Sequence, residues 1–408
     1  MPAKPVPQEI LVETLRAYKR TGGNKEAASR ILNVPTSTFS SRLQAAKRAN
    51  IDISDEEDGT VATAQDSFED QVRMLQAQLR TIKQETLTDE FVKRRIIRLQ
   101  ESDVDPPKWM LDPPRKGHVT GVPTILASDW HWGEVVDPNQ INGVNAYDLG
   151  IAQKRAKGLI NISIDILKTR FADPHYPGIV FALGGDMVSG DIHEELSVTN
   201  ETEIMPAVLD LWGTLIWCID KLADEFGNVF VPCVTGNHGR NTHKMRMKGR
   251  NFTSFDWLLY QFLAKHFEED ERIKFLIPDG SDAYYQVYGH KYLLTHGDQF
   301  RGGDGMIGAL GPIIRGDHRK RSRNAQIDTE YDTLLLGHWH QLIQLQRLIV
   351  NGSLKGYDEY AYQSNFPYEP PRQALWITHP EHGITFSAPV LVDRAPVKRS
   401  GSWVSWKA

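Results

Sequence analysis

The first part of the chain places its apolar residues at helical spacing. The stretch "QEILVETLRAYKR" (8–20) has one apolar face and predicts a helix. After the break "TGGN", the stretch "KEAASRIL" (25–32) predicts a second helix, and "NVP" turns the chain. The stretch "TSTFSSRLQAAKRA" (36–49) begins with hydroxyl side chains suited to capping and predicts a third helix. Residues 1–50 are therefore predicted to form a small all-α domain.

The next stretch lacks the pattern of a globular domain. Residues 52–58, "DISDEED", are acidic, and apolar residues over 68–82 alternate steps of four and three, as in a coiled coil. About two heptads are too short to be stable alone, so this helix either pairs between subunits or packs on the next domain. We assign 51–117 to an acidic linker and helical segment, ending in a proline-rich boundary, with 68–100 as the candidate contact of a homo-oligomer.

From residue 118 the pattern changes to short apolar runs that alternate with amphipathic helices. The runs lie in "PTILASDWHWG", "GIVFALGGDMVSG", "NVFVPCVTGNHGR", "YYQVYGHKYLLTHGDQF" and "DTLLLGHWHQ". Continuous apolar strands alternating with helices predict an α/β sheet that is covered on both faces. We assign 118–395 to this domain and 396–408 to a tail. Sites in such sheets form at the carboxyl ends of the strands.

Composition narrows the class of protein. The 408 residues contain no run of roughly 18 apolar residues, so no transmembrane helix is predicted. The N-terminus has no apolar signal-peptide stretch. Cys218 and Cys233 both lie in apolar context, which indicates buried free thiols. We therefore expect no membrane partner and a cytoplasmic location, the host cytoplasm if the protein is phage-encoded.

Charge is distributed unevenly along the chain. The net charge is −5, yet residues 1–50 hold nine Lys or Arg against three Glu. A basic first domain on an acidic chain favours a nucleic-acid partner, here DNA. The alternative is an ordinary solvated basic face, which charge alone does not exclude.

The second and third predicted helices resemble the helix-turn-helix of the Fis-type family. The matching residues are Gly23, Asn24, Lys25, Ala27, Ala28, Leu32, Val34, Thr38 and Phe39. The resemblance implies a DNA-binding module, whose second helix enters the major groove. Thr38 and Arg42, on the first turns of that helix, are the candidates for reading DNA. The alternative is a three-helix module for protein contact.

Two histidines stand one residue apart where the last apolar run ends, in "LLLGHWHQ". Strand alternation would send His338 and His340 to the same face, so both would point to one spot. Two imidazoles aimed at one spot indicate a metal. A polar strand end with solvated histidines is the alternative.

Every other strand end also supplies oxygen or nitrogen ligands, and none supplies a thiolate. Such a ligand set suits Mn, Fe or Zn. A carboxylate between two ions can bridge them, and two ions can bind a phosphate and activate water. The strand-end residues are Asp129, His131, Asp186, Asn237, His238, His296, His338 and His340.

The order D-x-H, G-D, G-N-H, H, G-H-x-H over 122–355 resembles the calcineurin-like metallophosphoesterase family. The resemblance implies a sandwich of two β-sheets flanked by helices. It also implies a hydrolase with two divalent ions, with Mn²⁺ expected first and Fe or Zn as alternatives. The later "VNGS" (350–353) resembles the closing strand and turn of the family.

The resemblance also implies a role for each matching residue. One ion would be held by Asp129, His131 and His340, and the other by Asn237, His296 and His338. Asp186 would bridge them, and His238 would protonate the leaving oxygen or stabilise the transition state. Many members carry an acid after G-N-H that orients the histidine, whereas this chain has Gly239. Asp191 is then the candidate for orienting His238, and the alternative is a histidine that is held less firmly.

Two basic stretches, 239–251 and 315–323, lie between the metal motifs. They suit a polyanionic backbone, although ordinary surface loops are the alternative. The candidate contacts with substrate phosphate are Arg240, Lys244, Arg246, Arg319 and Arg321. The tryptophans beside the ligands would either stack on a base or pack around the metals; they are Trp130, Trp132 and Trp339.

Together these features predict a dimetal-dependent phosphodiesterase that acts on DNA, an endonuclease or nickase directed by the helix-turn-helix. The layout resembles phage or bacterial proteins that join these two modules, and partly resembles repair nucleases of the same superfamily. One alternative is a phosphomonoesterase acting on protein, nucleotide or DNA ends. Another is a DNA-binding regulator whose metal domain is structural.

Overall fold

The structure is a computed structural model, which describes residues 6–51, 106–113, 119–192, 194–300, 308 and 310–393. The chain divides into two compact units, 1–101 and 102–408. The predicted linker and coiled-coil segment lies almost wholly outside the described residues. The predicted domain boundaries at 50, 117 and 395 therefore stay predictions.

The first unit contains the three helices that the sequence predicts. They are α1 (Gln8–Arg20), α2 (Lys25–Ile31) and α3 (Thr36–Arg48). The side chain of Asn24 caps α2 by accepting hydrogen bonds from the amides of Glu26 and Ala27, at 3.1 and 3.2 Å. This cap satisfies amides that a helix start leaves without partners.

A small apolar core holds the three helices together. Phe39 and Leu43, one turn apart on α3, pack against Ala17 of α1 and Ala28 of α2. The three helices are confirmed, whereas the DNA-binding role that the resemblance implies stays a prediction.

The second unit is a mixed α/β domain. Its helices are α4 (Lys108–Leu111), α5 (Leu149–Thr169), α6 (Glu194–Thr199), α7 (Ile204–Phe226), α8 (Phe255–His266), α9 (Leu310–Ala325) and α10 (Glu359–Gln363). Its strands are β1 (Val122–Ala127), β2 (Ile179–Leu183), β3 (Val229–Pro232), β4 (Ile273–Leu276), β5 (Asp282–Val287), β6 (His290–Thr295), β7 (Thr333–Leu336), β8 (Ile343–Leu345), β9 (Leu348–Val350), β10 (Arg372–His379) and β11 (Gly383–Leu391).

The strands form two sheets, as the resemblance implies. The six-stranded sheet has the order β11-β10-β1-β2-β3-β4, and the five-stranded sheet has the order β5-β6-β7-β9-β8. Strands β1 to β4 are parallel, and so are β6, β7 and β9. The carboxyl ends of these parallel strands therefore lie at one edge of each sheet, where polar loops can meet.

Packing in layers explains the apolar runs of the sequence. Helices α5, α7 and α8 cover one face of the six-stranded sheet, and its other face packs on the five-stranded sheet. In β7, Leu335 points into the space between the sheets, whereas Leu334 and Leu336 pack under α9 with Ile313. Strands buried on both faces read as continuous apolar runs, and "LLL" is one of them.

Two further features of the fold concern the cysteines and the apolar character of the helices. Cys218 and Cys233 are buried free cysteines, as predicted. Within the described ranges, no helix combines the length and the apolar character needed to cross a membrane.

The basic stretch 315–323 is helical, so the alternative of an ordinary surface loop is wrong for it. It lies inside α9, which runs from Leu310 to Ala325. The sequence hides this helix because several of its inward-facing positions are polar or small, such as Lys320 and Gly316, instead of apolar. An added Cβ at Gly316 would lie 2.5 Å from the ring of Phe300, which shows how closely the helix approaches.

Candidate metal centre

The structure brings six of the seven predicted metal ligands into two groups. Within each group, the nitrogen and carboxylate oxygen atoms lie within 4.8 Å of one another. The first ligand group is Asp129, His131 and His340, and the second ligand group is Asp186, His296 and His338. There is also a third set of neighbouring ligand atoms, from His131, Asp186 and His238. Because this set shares His131 with the first ligand group and Asp186 with the second, His238 lies beside both groups.

In the first ligand group, three side chains converge on one point. Nε2 of His131 lies 3.0 Å from Nε2 of His340, which lies 3.4 Å from Oδ1 of Asp129. On its other side, Nδ1 of His131 lies 3.3 Å from the carboxylate of Glu134. A carboxylate at Nδ1 favours a proton there, which leaves a lone pair on Nε2 directed at the group.

The second ligand group has the same chemistry. Nδ1 of His296 lies 2.9 Å from the carbonyl oxygen of Gly184, so Nδ1 carries the donated proton. Nε2 then presents a lone pair to Oδ2 of Asp186, 2.9 Å away. Two electron-rich atoms at this distance repel each other unless a proton or a cation lies between them.

The charge states of these side chains also suit a cation. Burial alone would raise the pKa of Asp186, but His296 and His238 outweigh it and hold the pKa well below its usual range. Burial lowers the pKa of His338 to about 4, so this imidazole is neutral near pH 7. Burial opposes charge on His296 as well, yet the Asp186 carboxylate raises its pKa to about 10. A buried site that draws a proton between ligand atoms is a site that a metal ion would fit.

Asn237, the seventh predicted ligand, is next to the second ligand group. Its side-chain oxygen is buried and has no hydrogen-bond partner among the described residues. The preceding Gly236 approaches Asp186 so closely that an added Cβ would lie 2.0 Å from Oδ1. A buried amide oxygen without a partner is costly, and a bound cation would satisfy it.

The backbone of the ligand residues is unusual. Five of them have φ between 48° and 68°, in the left-handed region that side chains other than glycine rarely adopt: Asp129, His131, Asp186, His338 and His340. Strain of this kind costs of order 1–3 kcal/mol per residue and concentrates at functional sites.

This backbone corrects the prediction for the histidine pair. Strand β7 ends at Leu336, so His338 and His340 lie in the following loop and strand alternation does not apply. The two imidazoles reach different ligand groups instead of one spot. Gly337 gives the loop room, because an added Cβ there would lie 2.5 Å from Oδ2 of Asp129.

The "VNGS" stretch holds the loop of Asp129 in place. Ser353 donates to the backbone carbonyl of Asp129 at 2.8 Å. Asn351 donates to Oγ of Ser128 at 2.9 Å, and Ser128 in turn donates to Oδ2 of Asp129 at 2.5 Å. The stretch therefore fixes the orientation of one predicted ligand.

A chain of buried ion pairs contacts His131 at Nδ1, on the side of the ring away from the first ligand group. Glu134 contacts His131 and accepts a hydrogen bond from Nζ of Lys355 at 2.7 Å. Lys355 also lies 2.6 Å from Asp358, and all three charged side chains are almost wholly buried. Because buried charges are costly unless paired, the chain fixes the position of the Glu134 carboxylate. The sequence reasoning missed all three residues, since only contacts distant along the chain reveal them.

Asp256, at the start of α8, was also missed, and it links the loops of two ligands. Its buried carboxylate accepts hydrogen bonds from the amides of Asp186, Met187 and Gly236, at 3.0, 3.2 and 2.9 Å. It also explains the missing acid after G-N-H: an added Cβ at Gly239 would lie 2.9 Å from Oδ1 of Asp256. The position after the histidine is therefore restricted to glycine by a carboxylate from another element.

His238 lies between the two ligand groups, with its ring centroid 4.5 Å from that of His131. Its Nδ1 lies 3.1 Å from the carbonyl oxygen of Ser189, and this contact orients the ring. Burial lowers the pKa of His238 to about 3, so the ring is neutral near pH 7. A general acid needs a proton, so this role requires that a bound phosphate anion raise the pKa. Asp191 is exposed, and its predicted contact with His238 stays a prediction.

The predicted phosphate contacts in 239–251 fall into two kinds. Arg240 donates to the carbonyl oxygens of Asn237, Thr242 and His243, so it holds its own loop together. Lys244 and Arg246 are exposed on the same loop, which follows two of the predicted site residues directly. Their contact with substrate stays a prediction.

The contact predicted for Arg321 does not fit the structure. Its guanidinium donates to Asp317 and to the carbonyl oxygen of Tyr331, and it stacks on the Tyr331 ring at 4.3 Å. Tyr331 precedes β7, so Arg321 lies at the end of this strand opposite to its histidine loop. Arg319 is exposed on α9, and its contact with phosphate stays a prediction.

The remaining sequence candidates are placed as follows. Trp130 and Trp132 are fully buried, with their indole nitrogens donating to Gln373 and Asp210, so they pack and do not offer a stacking face. Trp339 is partly buried against the outer side of the five-stranded sheet. In the first unit, the half-buried side chains of Thr38 and Arg42 lie one turn apart on α3. Their contact with DNA stays a prediction.

Comparisons with known proteins give only distant likeness. No protein-family model and no curated protein matches the sequence. Among solved structures, a conserved uncharacterised protein from Streptococcus pneumoniae, described as a predicted phosphoesterase, is 12% identical with a TM-score of 0.26, covering 67% of this chain and 98% of its own. A Vps29 single mutant from Entamoeba histolytica is also 12% identical with a TM-score of 0.26, covering 66% and 98%.

A third similar structure is the Thermus thermophilus sulfate thiohydrolase SoxB in complex with glycerol. It is 10% identical with a TM-score of 0.28, covering 70% of this chain and 59% of its own.

Proposed function

We propose that this chain is a two-metal phosphodiesterase that acts on DNA. The observation that carries the proposal is the pair of ligand groups joined by His131, Asp186 and His238. Two adjoining groups of carboxylates and imidazoles, without thiolate, suit two divalent ions such as Mn²⁺. A pair of ions suits the charge of a phosphoryl group better than a single ion does.

Each candidate ligand and each supporting carboxylate would have a separate role. Asp129, His131 and His340 would hold one ion, and Asn237, His296 and His338 the other, with Asp186 between them. When bound, the ions would neutralise the charge of a phosphoryl group and activate water for attack on phosphorus. Glu134 and Asp256 would keep the ligands in position, because both are buried and fixed by their contacts.

His238 would act on the leaving oxygen. Its ring is oriented by the Ser189 carbonyl, and in the neutral state this contact leaves Nε2 without a proton. An anionic phosphate nearby would favour the protonated ring, because opposite charges stabilise each other in a buried site. The protonated ring could then donate to the leaving oxygen.

Support for DNA as the substrate comes from charge and from the first unit. The loop after Asn237 carries the exposed cations Lys244, Arg246 and Lys248, which suit a phosphate backbone. The three helices of residues 8–48 follow the helix-turn-helix pattern on a basic stretch of chain. Both features favour a polynucleotide over a small phosphomonoester.

The proposal is tested on protein freed of metal with EDTA and reloaded with Mn²⁺. Four substrates separate the alternatives: supercoiled plasmid, an end-phosphorylated oligonucleotide, p-nitrophenyl phosphate and methyl p-nitrophenyl phosphate. We expect cleavage of the plasmid and of the methyl diester. Release of phosphate only from the monoesters would indicate a phosphomonoesterase instead. DNA binding without any hydrolysis would indicate a regulator.

The part played by residues 1–50 is tested by deletion. The chain lacking them should hydrolyse the methyl diester at a nearly unchanged rate, because all predicted ligands lie beyond residue 120. Its DNA cleavage should weaken and lose sequence preference, since base contacts specify while phosphate contacts only position. The remaining cleavage should be strongly salt-sensitive. Unchanged cut positions and affinity would instead make these helices a protein-contact module.

A further inference from the structure

The segment 357–368, "YDEYAYQSNFPY", exposes an unusual concentration of aromatic rings. Tyr360 is 72% exposed, Tyr368 54%, Phe366 47% and Tyr362 36%. The rings form two pairs: Tyr360 with Phe366 at a centroid distance of 5.8 Å, and Tyr357 with Tyr368 at 5.5 Å. Contiguous exposed aromatic surface is uncommon without a ligand that covers it.

The aromatic segment is held in a defined conformation. The hydroxyl of Tyr357 donates to the carbonyl oxygen of Phe366 at 2.8 Å, which closes the segment on itself. Asp358 caps α10 by accepting from the amide of Ala361 at 2.8 Å, and Asn142 donates to the hydroxyl of Tyr362 at 2.8 Å. Rings held in place lose little conformational entropy when they bind a ligand.

Both ends of the aromatic segment are tied to the first ligand group. At one end, Asp358 pairs with Lys355, which reaches His131 through Glu134. At the other end, the residue after Tyr368 is Glu369, whose carboxylate accepts from the amide of Leu342 at 3.0 Å, two residues beyond His340. Chain geometry then places Tyr368 within roughly 20 Å of His340. A nucleic-acid strand with one phosphate at the metal centre would reach the aromatic segment within a few nucleotides.

The charge of the aromatic segment indicates which part of a nucleic-acid strand it would contact. Residues 356–371 contain no Lys or Arg. The carboxylates of Asp358 and Glu369 are paired with Lys355 and Arg372, and Glu359 accepts from the amide of Asp137 at 2.7 Å. The segment therefore offers rings and no cation, which suits an uncharged planar group and not a phosphate.

We infer that the aromatic segment is a stacking platform for unpaired nucleobases of a polynucleotide whose phosphate lies at the metal centre. The inference rests on the proposed function and refines its substrate to DNA with a single-stranded or frayed stretch. Every base has an aromatic face, so stacking would hold the strand without reading its sequence. The exposed cations Lys244, Arg246 and Lys248 would contact the backbone, and the platform would contact the bases.

The test compares two eight-nucleotide single strands, one normal and one in which tetrahydrofuran abasic residues replace the bases. Affinity is measured by fluorescence anisotropy on Mn²⁺-loaded protein, with hydrolysis-resistant phosphorothioate linkages in both strands, for the full chain and for Tyr360→Ala/Tyr368→Ala. Loss of base stacking should weaken binding of the normal strand about 5- to 100-fold. Binding of the abasic strand should not change. Tyr360→Phe should bind like the parent, because it keeps the ring.

Phe262→Ala is the matched control, since Phe262 is 41% exposed on α8, outside the segment. Equal losses on both strands, no loss on the normal strand, or a loss equal to that of the control would overturn the inference.

Hydrolysis of methyl p-nitrophenyl phosphate, measured with Mn²⁺, distinguishes failure of the proposed function from failure of the stacking platform. If the parent chain fails to hydrolyse it, the proposed function fails. If the parent and the double variant hydrolyse it equally while base-dependent affinity is unaffected by the double substitution, only the platform fails.

Discussion

Replacing Asp256 tests whether one buried carboxylate supports the metal centre from outside it. In Asp256→Ala, the amides of Asp186, Met187 and Gly236 lose their common acceptor. Each buried amide without a partner costs about 1–3 kcal/mol, and rearrangement or water recovers part of this. We therefore expect the free energy of unfolding to fall by about 3–5 kcal/mol, a large fraction of the stability of a domain.

The substitution should also weaken metal binding, because the three amides belong to the loops that carry Asp186 and Asn237. Asp256→Asn should have the same effect in weaker form, since its amide group keeps one acceptor but turns a donor toward the amides. Burial and the neighbouring Asp186 raise the pKa of Asp256 to about 6, so loss of its charge is a smaller change than loss of its acceptors.

The assay is urea unfolding of metal-free and Mn²⁺-loaded protein, with metal content measured on the folded fraction. Asp165→Ala is the control, because Asp165 is an exposed helical aspartate on α5 and its removal should change stability by less than about 0.5 kcal/mol. If Asp256→Ala matched this control in both stability and metal content, the carboxylate would not be the support that its hydrogen bonds indicate.

Three further predictions concern metals, proton transfer and stability. Asp186→Ala should lose both ions and His340→Ala mainly one, as counted by elemental analysis; two full ions in the first variant would contradict the bridging role. His238→Ala should keep its metals while turnover of the methyl diester falls about 10²- to 10⁴-fold, and parent-like turnover would remove His238 from the chemistry. Burial opposes charge on Asp282, but Lys320, 2.6 Å away, and a nearby arginine hold its pKa below its usual value of 3.8. The stability that this carboxylate contributes is therefore present above about pH 4 and lost as the pH falls through the folded-state pKa. Asp282→Asn should cost about 3–5 kcal/mol near pH 7 in urea unfolding, because Lys320 stays buried without its charged partner, and should cost less at pH 3; an equal cost at both pH values would contradict this.

The strands and the grouping of the candidate ligands could be predicted because they depend on local patterns. Strands buried on both faces, such as β1, β2 and β7, appear as continuous apolar runs, and the candidate ligands lie in loops that follow such runs. Helix α9 could not be predicted in this way. Its buried Lys320 pairs with Asp282, 38 residues earlier, and its Arg321 donates to a carbonyl oxygen beyond the helix. In the sequence, such inward-facing cations cannot be distinguished from cations on the surface.

The residues that support the ligands could not be predicted for a related reason. Glu134 accepts from Lys355 across 221 residues of sequence, and Asp256 accepts from the amide of Asp186, 70 residues before it. Only Gly239 indicated a supporting residue elsewhere in the chain, because the family resemblance led us to expect an acid at this position. The left-handed backbone at His338 and His340 was equally hidden, because strand alternation was extended past the end of β7.

The separation of the ligands along the chain has a consequence during synthesis. His131 and His340 meet at 3.0 Å but lie 209 residues apart, so the first ligand group is incomplete until the ribosome has passed His340. At about 5–20 residues per second, this interval lasts roughly 10–40 s. During that time a nascent chain can carry the folded N-terminal helices without a complete metal centre. Translation therefore sets the earliest time at which this ligand group can be complete.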